Sequence, residues 1–125
     1  MYEKNLRWCE MLRQILGEFL RLDGVTAAVV AGRDGFVIES VVAGDIDVEA
    51  LGAMASTGMG TSEAMSNELG KGEMHQMLVE LENGPILLSP LSEDELIAIV
   101  ANANVNVGRI RYELKKNRDR ITAAL

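Results

Sequence analysis

Few residues in this 125-residue chain are of types that carry chemistry. His75 is its one histidine and Cys9 its one cysteine. A transition-metal site built on His75 would need carboxylates alone as the other ligands. A single cysteine allows neither an internal disulfide nor a cysteine cluster. Cys9 follows Trp8 in a helical pattern and reads as a half-buried, inert thiol. A Ser-His-Asp relay lacks the Gly-x-Ser-x-Gly elbow that would expose its nucleophile. Glu93-Asp94-Glu95 is a run of carboxylates, and such groups do acid–base work when burial separates their pKa values. These three sit in a turn pattern and read as solvated. Gly58-Met59-Gly60-Thr61 lies within a helical pattern, and Gly70-Lys71-Gly72 lacks the hydroxyl residue after lysine that a phosphate loop requires. The residue types therefore predict no catalytic site, no cofactor and no metal.

The chain that would position such groups has the length of one domain. Hydrophobic residues make up 48% and charged residues 25% of it, with aromatics at 4% and seven methionines. Aliphatic side chains must build its core, with methionine filling irregular gaps. No run approaches the ~18 apolar residues of a membrane span. The N-terminal stretch has no apolar signal-peptide core. These features predict a cytoplasmic protein.

The net charge of −7 is unevenly spread. Residues 1–22 carry four basic and three acidic side chains, residues 23–104 two and fourteen, and residues 105–125 six and two. An acidic middle argues against wrapping nucleic acid. The basic last segment alternates with an apolar helical stripe, so a solvated helix face is the simplest reading. Contact with an acidic partner or membrane surface is the other.

Residues 3–21 read as a helix, with Trp8, Leu12, Ile15, Leu16 and Phe19 on one face and Lys4, Arg7 and Glu10 on others. Asp23-Gly24 stops it. Val25–Ala31 and Phe36–Val42 read as strands joined by the turn Gly32-Arg33-Asp34-Gly35, an antiparallel hairpin. Asp47 suits the N-cap of a second helix from about Val48 to Leu69. That helix holds Gly52, Gly58 and Gly60, each costing roughly 1 kcal/mol against alanine. Their presence predicts close approach of another element. Leu51, Met54, Ala55, Gly58, Ser62, Met65 and Leu69 form its stripe, with Met59 beside it. Met74–Leu81 alternates as a strand on which His75 is exposed, and Asn83-Gly84 marks a hairpin turn. Ile86–Leu88 lies between Pro85 and Pro90. Leu96–Ala101 is apolar throughout, so it reads as a central strand covered on both faces. Asn104 or Asn106 caps a last helix. The order is helix, two strands, helix, three strands, helix. Physical grounds alone give an α/β (α+β) three-layer sandwich, a five-stranded antiparallel sheet between helices.

In this order of elements the chain resembles the Roadblock/LC7 family, a profilin-like fold, over roughly residues 6 to 121. The resemblance is carried by Leu22-Asp23-Gly24-Val25, Ala28-Val29-Val30 and Asp34-Gly35-Phe36-Val37-Ile38. The small-residue helix from Ala50 to Leu69 carries it further, with the strand, Asn83-Gly84, strand, strand and helix that follow. The resemblance is to bacterial or archaeal members of the family, including the MglB group. The resemblance implies sheet order 2-1-5-4-3, with the first and third helices on one face and the second on the other. It also implies a homodimer in which the third strands pair and the second helices lie side by side. Met59, Ser62, Met65, Met74, Gln76 and Leu78 are the expected interface residues, with ordinary core the competing reading for each methionine. An apolar edge strand needs such a cover, and a two-fold contact reuses one patch.

By the same resemblance the chain would be a noncatalytic regulator or scaffold for a small Ras-like GTPase. Arg33, the lone arginine of the middle segment, sits in a turn and makes a poor arginine finger. A structural adaptor like the motor light chains is the second reading. A small-molecule sensor is the third, and the poverty of aromatic and polar core residues disfavours it.

Overall fold

A computed structural model of the chain describes the backbone from Tyr2 onward and the side chains from Arg7 onward. The expectation for Lys4 lies outside the described side chains. The elements are α1 (Tyr2–Phe19), β1 (Val25–Gly32), β2 (Val37–Val42), α2 (Val48–Leu69), β3 (Met77–Val79), β4 (Ile86–Pro90), β5 (Glu95–Ala101) and α3 (Val107–Ala123). The strands form one antiparallel sheet in the order β2-β1-β5-β4-β3.

Alternation along β5 divides the core in two. Ile97 and Ile99 face α1 and α3, where they meet Leu12, Leu16, Phe19, Ile110, Leu114 and Ile121. Leu96 and Ala98 face α2 and meet Leu51, Ala55 and Met59. The resemblance had implied this split of helices between the two faces, and the structure has it. Among the described side chains of α1 burial begins at Leu12, and those of residues 7–11 are exposed. Cys9 is consequently exposed, not half-buried as its neighbour Trp8 had suggested.

The caps follow from side-chain chemistry. Asp47 accepts from the Ala50 N–H at 3.0 Å and closes the start of α2. Gly70, at φ 62°, ends it, and the Lys71 N–H donates to the Ser66 carbonyl at 3.0 Å. Asn106, not Asn104, caps α3 by accepting from the Arg109 N–H at 3.1 Å. Removing that acceptor with Asn106→Ala is expected to cost about 1 kcal/mol, read as a fall in denaturation midpoint at unchanged m-value.

Strand β3 is shorter than the alternation over Met74–Leu81 suggests, and the two prolines explain why. Met77 pairs with Leu88 and Val79 with Ile86. Continuing that register, Glu80 would meet Pro85 directly beyond Val79, and His75 would meet Pro90 two positions before Met77, and neither proline has an N–H to donate. His75 therefore lies before the strand, exposed, and its carbonyl accepts from Ser89 Oγ at 3.4 Å. The β3–β4 turn also departs from expectation. Gly84 N–H donates to the Leu81 carbonyl at 3.1 Å, and among the described residues none other than glycine has positive φ. Asn83 thus avoids the mirror-image turn that Asn-Gly pairs favour, and Gly84 alone takes φ 123°.

Candidate interaction surface

The surface of interest is the flank of α2 that overlooks β3, together with β3 itself. Helical spacing places Met54, Gly58, Thr61, Met65 and Leu69 on one stripe. A Cβ at Gly58 would lie 3.7 Å from Met77 Cε, so the stripe faces the β3 edge. Ser62 Oγ lies 3.2 Å from Met77 Sδ on the same side. Met54, Met65 and Leu69 are 65%, 55% and 68% exposed, an apolar margin beside an unpaired strand. Such a margin is unusual unless something covers it.

The opposite flank of α2 is held by the turns. A Cβ at Gly52 would meet Gly35 O and Val37 Cγ2, each at 3.0 Å. Gly52 and Gly58 therefore serve contacts within the subunit, and Gly60 faces open space. Arg33 forms an ion pair with Glu63, and its Nη2 donates to the Ser92 carbonyl at 3.3 Å. Ser56 Oγ donates to the Arg33 carbonyl, and the Arg33 N–H donates to the Asp94 carbonyl at 2.8 Å. Arg33 thus ties α2 to both the β1–β2 and β4–β5 turns, and both of its terminal nitrogens are engaged. Sequence reasoning singled out this arginine but missed Glu63, because nothing in local spacing joins positions so far apart.

The six expected interface residues are distributed differently from one another. Met59 is 0% exposed and lies between α2 and the sheet. Its side chain offers nothing for a partner to touch, so its place is the core. Ser62, Met74 and Gln76 are half-buried, the last two just ahead of β3. Met65 is exposed on the α2 face of the sheet. Leu78, 38% exposed, pairs with Leu87 and so lies on the α1/α3 face. The edge of β3 therefore carries apolar surface above and below the sheet. Met59→Ala is expected to cost about 2–5 kcal/mol of subunit stability. It should leave self-association unchanged, as sedimentation of the folded variant would show.

A surface cleft of about 750 Å³ opens between the end of α2, the 70–74 loop and the β4–β5 turn, and its lining includes Arg33, Glu63, Asn67, Glu73 and Ser92 beside Met74 and Pro90. Its walls mix charged and apolar groups, unlike a mostly apolar ligand pocket. Among the described residues no group of three His, Cys, Asp or Glu side chains is placed to hold a metal. Among them, too, no helix is long and apolar enough to cross a membrane.

The strand order, the helix of small residues and the short apolar edge strand together define the fold class of this domain. The chain belongs to the Roadblock/LC7 family, whose domain model matches residues 11–101. An uncharacterised protein of Methanocaldococcus jannaschii is 39% identical over 113 residues, covering 90% of this chain and 95% of its own. The fold is also that of MglB in a tetrameric arrangement, at TM-score 0.86 and 18% identity, over 94% of this chain and 89% of the other. The gliding protein MglB from Thermus thermophilus matches at TM-score 0.85 and 18% identity, over 94% and 90%.

Proposed function

We propose that this protein is a noncatalytic homodimeric regulator or scaffold that binds a small Ras-like GTPase in the cytoplasm. The observation that carries the reading is the apolar margin of Met54, Met65 and Leu69 beside the unpaired β3 edge. Two copies joined through β3 would continue the sheet across a two-fold axis and bring their α2 helices side by side. Ser62, Met65, Met74, Gln76 and Leu78 would lie at or beside that junction. The paired α2 helices and their flanking turns would then form one platform for the GTPase. The fold likeness to MglB supports this reading.

Arg33 is engaged by Glu63 and Ser92, which favours holding or reshaping a GTPase over lending it a charge. The adaptor reading, with no GTPase, uses the same dimer and differs only in the partner. The charged side chains in the lining of the cleft at the end of α2 weigh against a small-molecule sensor.

The test is affinity capture from the native host lysate, once with GDP and once with a nonhydrolysable GTP analogue. A Ras-like GTPase held only with the analogue supports a regulator or effector. Equal capture in both states supports a constitutive scaffold, since equal affinity shifts no equilibrium. Absence of any GTPase from both samples puts the adaptor reading first.

A further inference from the structure

The layers of the sandwich carry opposite charge. Between Arg7 and Arg21 and along α3, nine side chains are basic and four acidic. From Leu22 to Asn106 two are basic and fourteen acidic. The two basic segments cover the same face of the sheet, and α2 covers the other. The overall charge of −7 conceals a molecule with one basic side.

Part of that basic charge is neutralised within the fold. Arg13 pairs with Glu39 at 3.3 Å, Arg109 with Glu113 at 3.3 Å and Arg120 with Glu18 at 3.0 Å. Arg111 and Lys115 are exposed, share one side of α3, and have no acidic partner among the described residues. Tyr112 lies beside them, 58% exposed, with the Lys116 ammonium 5.9 Å from its ring centroid. Exposed guanidinium and ammonium groups around an amphipathic ring match the chemistry of lipid phosphates and the headgroup layer. Eleven of the fourteen acidic residues lie in strands and turns; the α2 layer, with three acidic and no basic side chains, stands roughly 20 Å away across the sheet, beyond the ~8 Å screening length of physiological salt. It therefore does not cancel the attraction, and it turns the molecule basic side down.

We propose that the α1/α3 face docks this protein on an anionic lipid surface, with α2 directed away from it. A flat, extended occupant is favoured by the two-fold arrangement. Antiparallel pairing of β3 strands puts both α3 helices on the same side of one continuous sheet, so both engage one plane together. That bivalence rests on the dimer reading above; the charge separation does not.

The test uses the full chain and phosphatidylcholine vesicles with or without phosphatidylglycerol, read by co-sedimentation. Binding is expected only with phosphatidylglycerol and is lost in high salt. Arg111→Gln/Lys115→Gln should lower the partition coefficient about twenty-fold. Asn67→Asp/Asn83→Asp, which changes net charge equally at exposed positions on α2 and in the β3–β4 turn, should leave it unchanged. No binding of the parent chain at low salt overturns the proposal. So does an equal loss in the two variants, or binding to duplex DNA without binding to vesicles. The oligomeric mass of each sample is measured in parallel. A monomeric chain that binds lipid weakly, and still depends on Arg111 and Lys115, retains this face while removing the dimer.

Discussion

Alanine at Gly84 is expected to destabilise the protein by about 3–5 kcal/mol. Its Cβ would lie 2.0 Å from the Ala101 carbonyl oxygen and 2.6 Å from the Asn102 carbonyl carbon. Both are backbone atoms at the end of the central strand β5, so neither can swing aside as a side chain would. The φ of 123° adds strain that only glycine escapes. The contact is also coupled to the ladder: the Ala101 N–H donates to the Pro85 carbonyl at 3.1 Å, one residue beyond Gly84. Relief of the clash must therefore open β4 from β5. A fall in Tm of roughly 12–20 °C is the expected readout in calorimetry. A loss smaller than that of Asn106→Ala would show that this turn does not press on β5.

Met65→Glu combined with Leu78→Lys is expected to turn the proposed dimer into a folded monomer. Both side chains are largely exposed in the subunit, so the substitutions remove little core and should change subunit stability by under about 1 kcal/mol. At a two-fold contact each change occurs twice and sets like charges against one another. The two residues lie on opposite faces of the sheet, so the new charges do not neutralise each other within one subunit. Weakening of self-association by at least about 100-fold is expected. Light scattering would show half the parent mass, with circular dichroism unchanged. A variant that stayed dimeric would move the contact to another surface, and a monomeric parent would remove the dimer altogether.

Local chemistry was legible in the sequence where a residue type has one structural use. The bounds of α2 follow from Asp47 and Gly70, and the central place of β5 follows from its unbroken apolar run. The phase of α2 was harder to read. Small residues fill so much of its surface that the hydrophobic period is weak, and the stripe read through Met54 and Met65 leaves Met59, the residue buried under the helix, to one side. Contacts settled it instead: Gly52 against Gly35, and Met59 under the helix. The length of β3 required its partner, because the prolines that limit it lie at the two ends of the β4 segment, Pro85 just before that strand and Pro90 as its last residue. The Arg33–Glu63 pair required the whole fold, since only packing of α2 over the β1–β2 turn joins them.

The pairing of β1 with β5 has a kinetic consequence. Val29 meets Ala98 and Val30 meets Ile97, so the middle of the sheet joins segments from opposite ends of the chain. The β1–β2 and β4–β5 hairpins each close over a short turn and can form as soon as they are made. The central ladder must wait for β5 to be synthesised and must then close a long loop, which slows it. Until that moment the β5-facing edges of β1 and β4 lie open, rich in valine, alanine, isoleucine and leucine. The nascent chain is thus most prone to aggregate just before its last strand arrives.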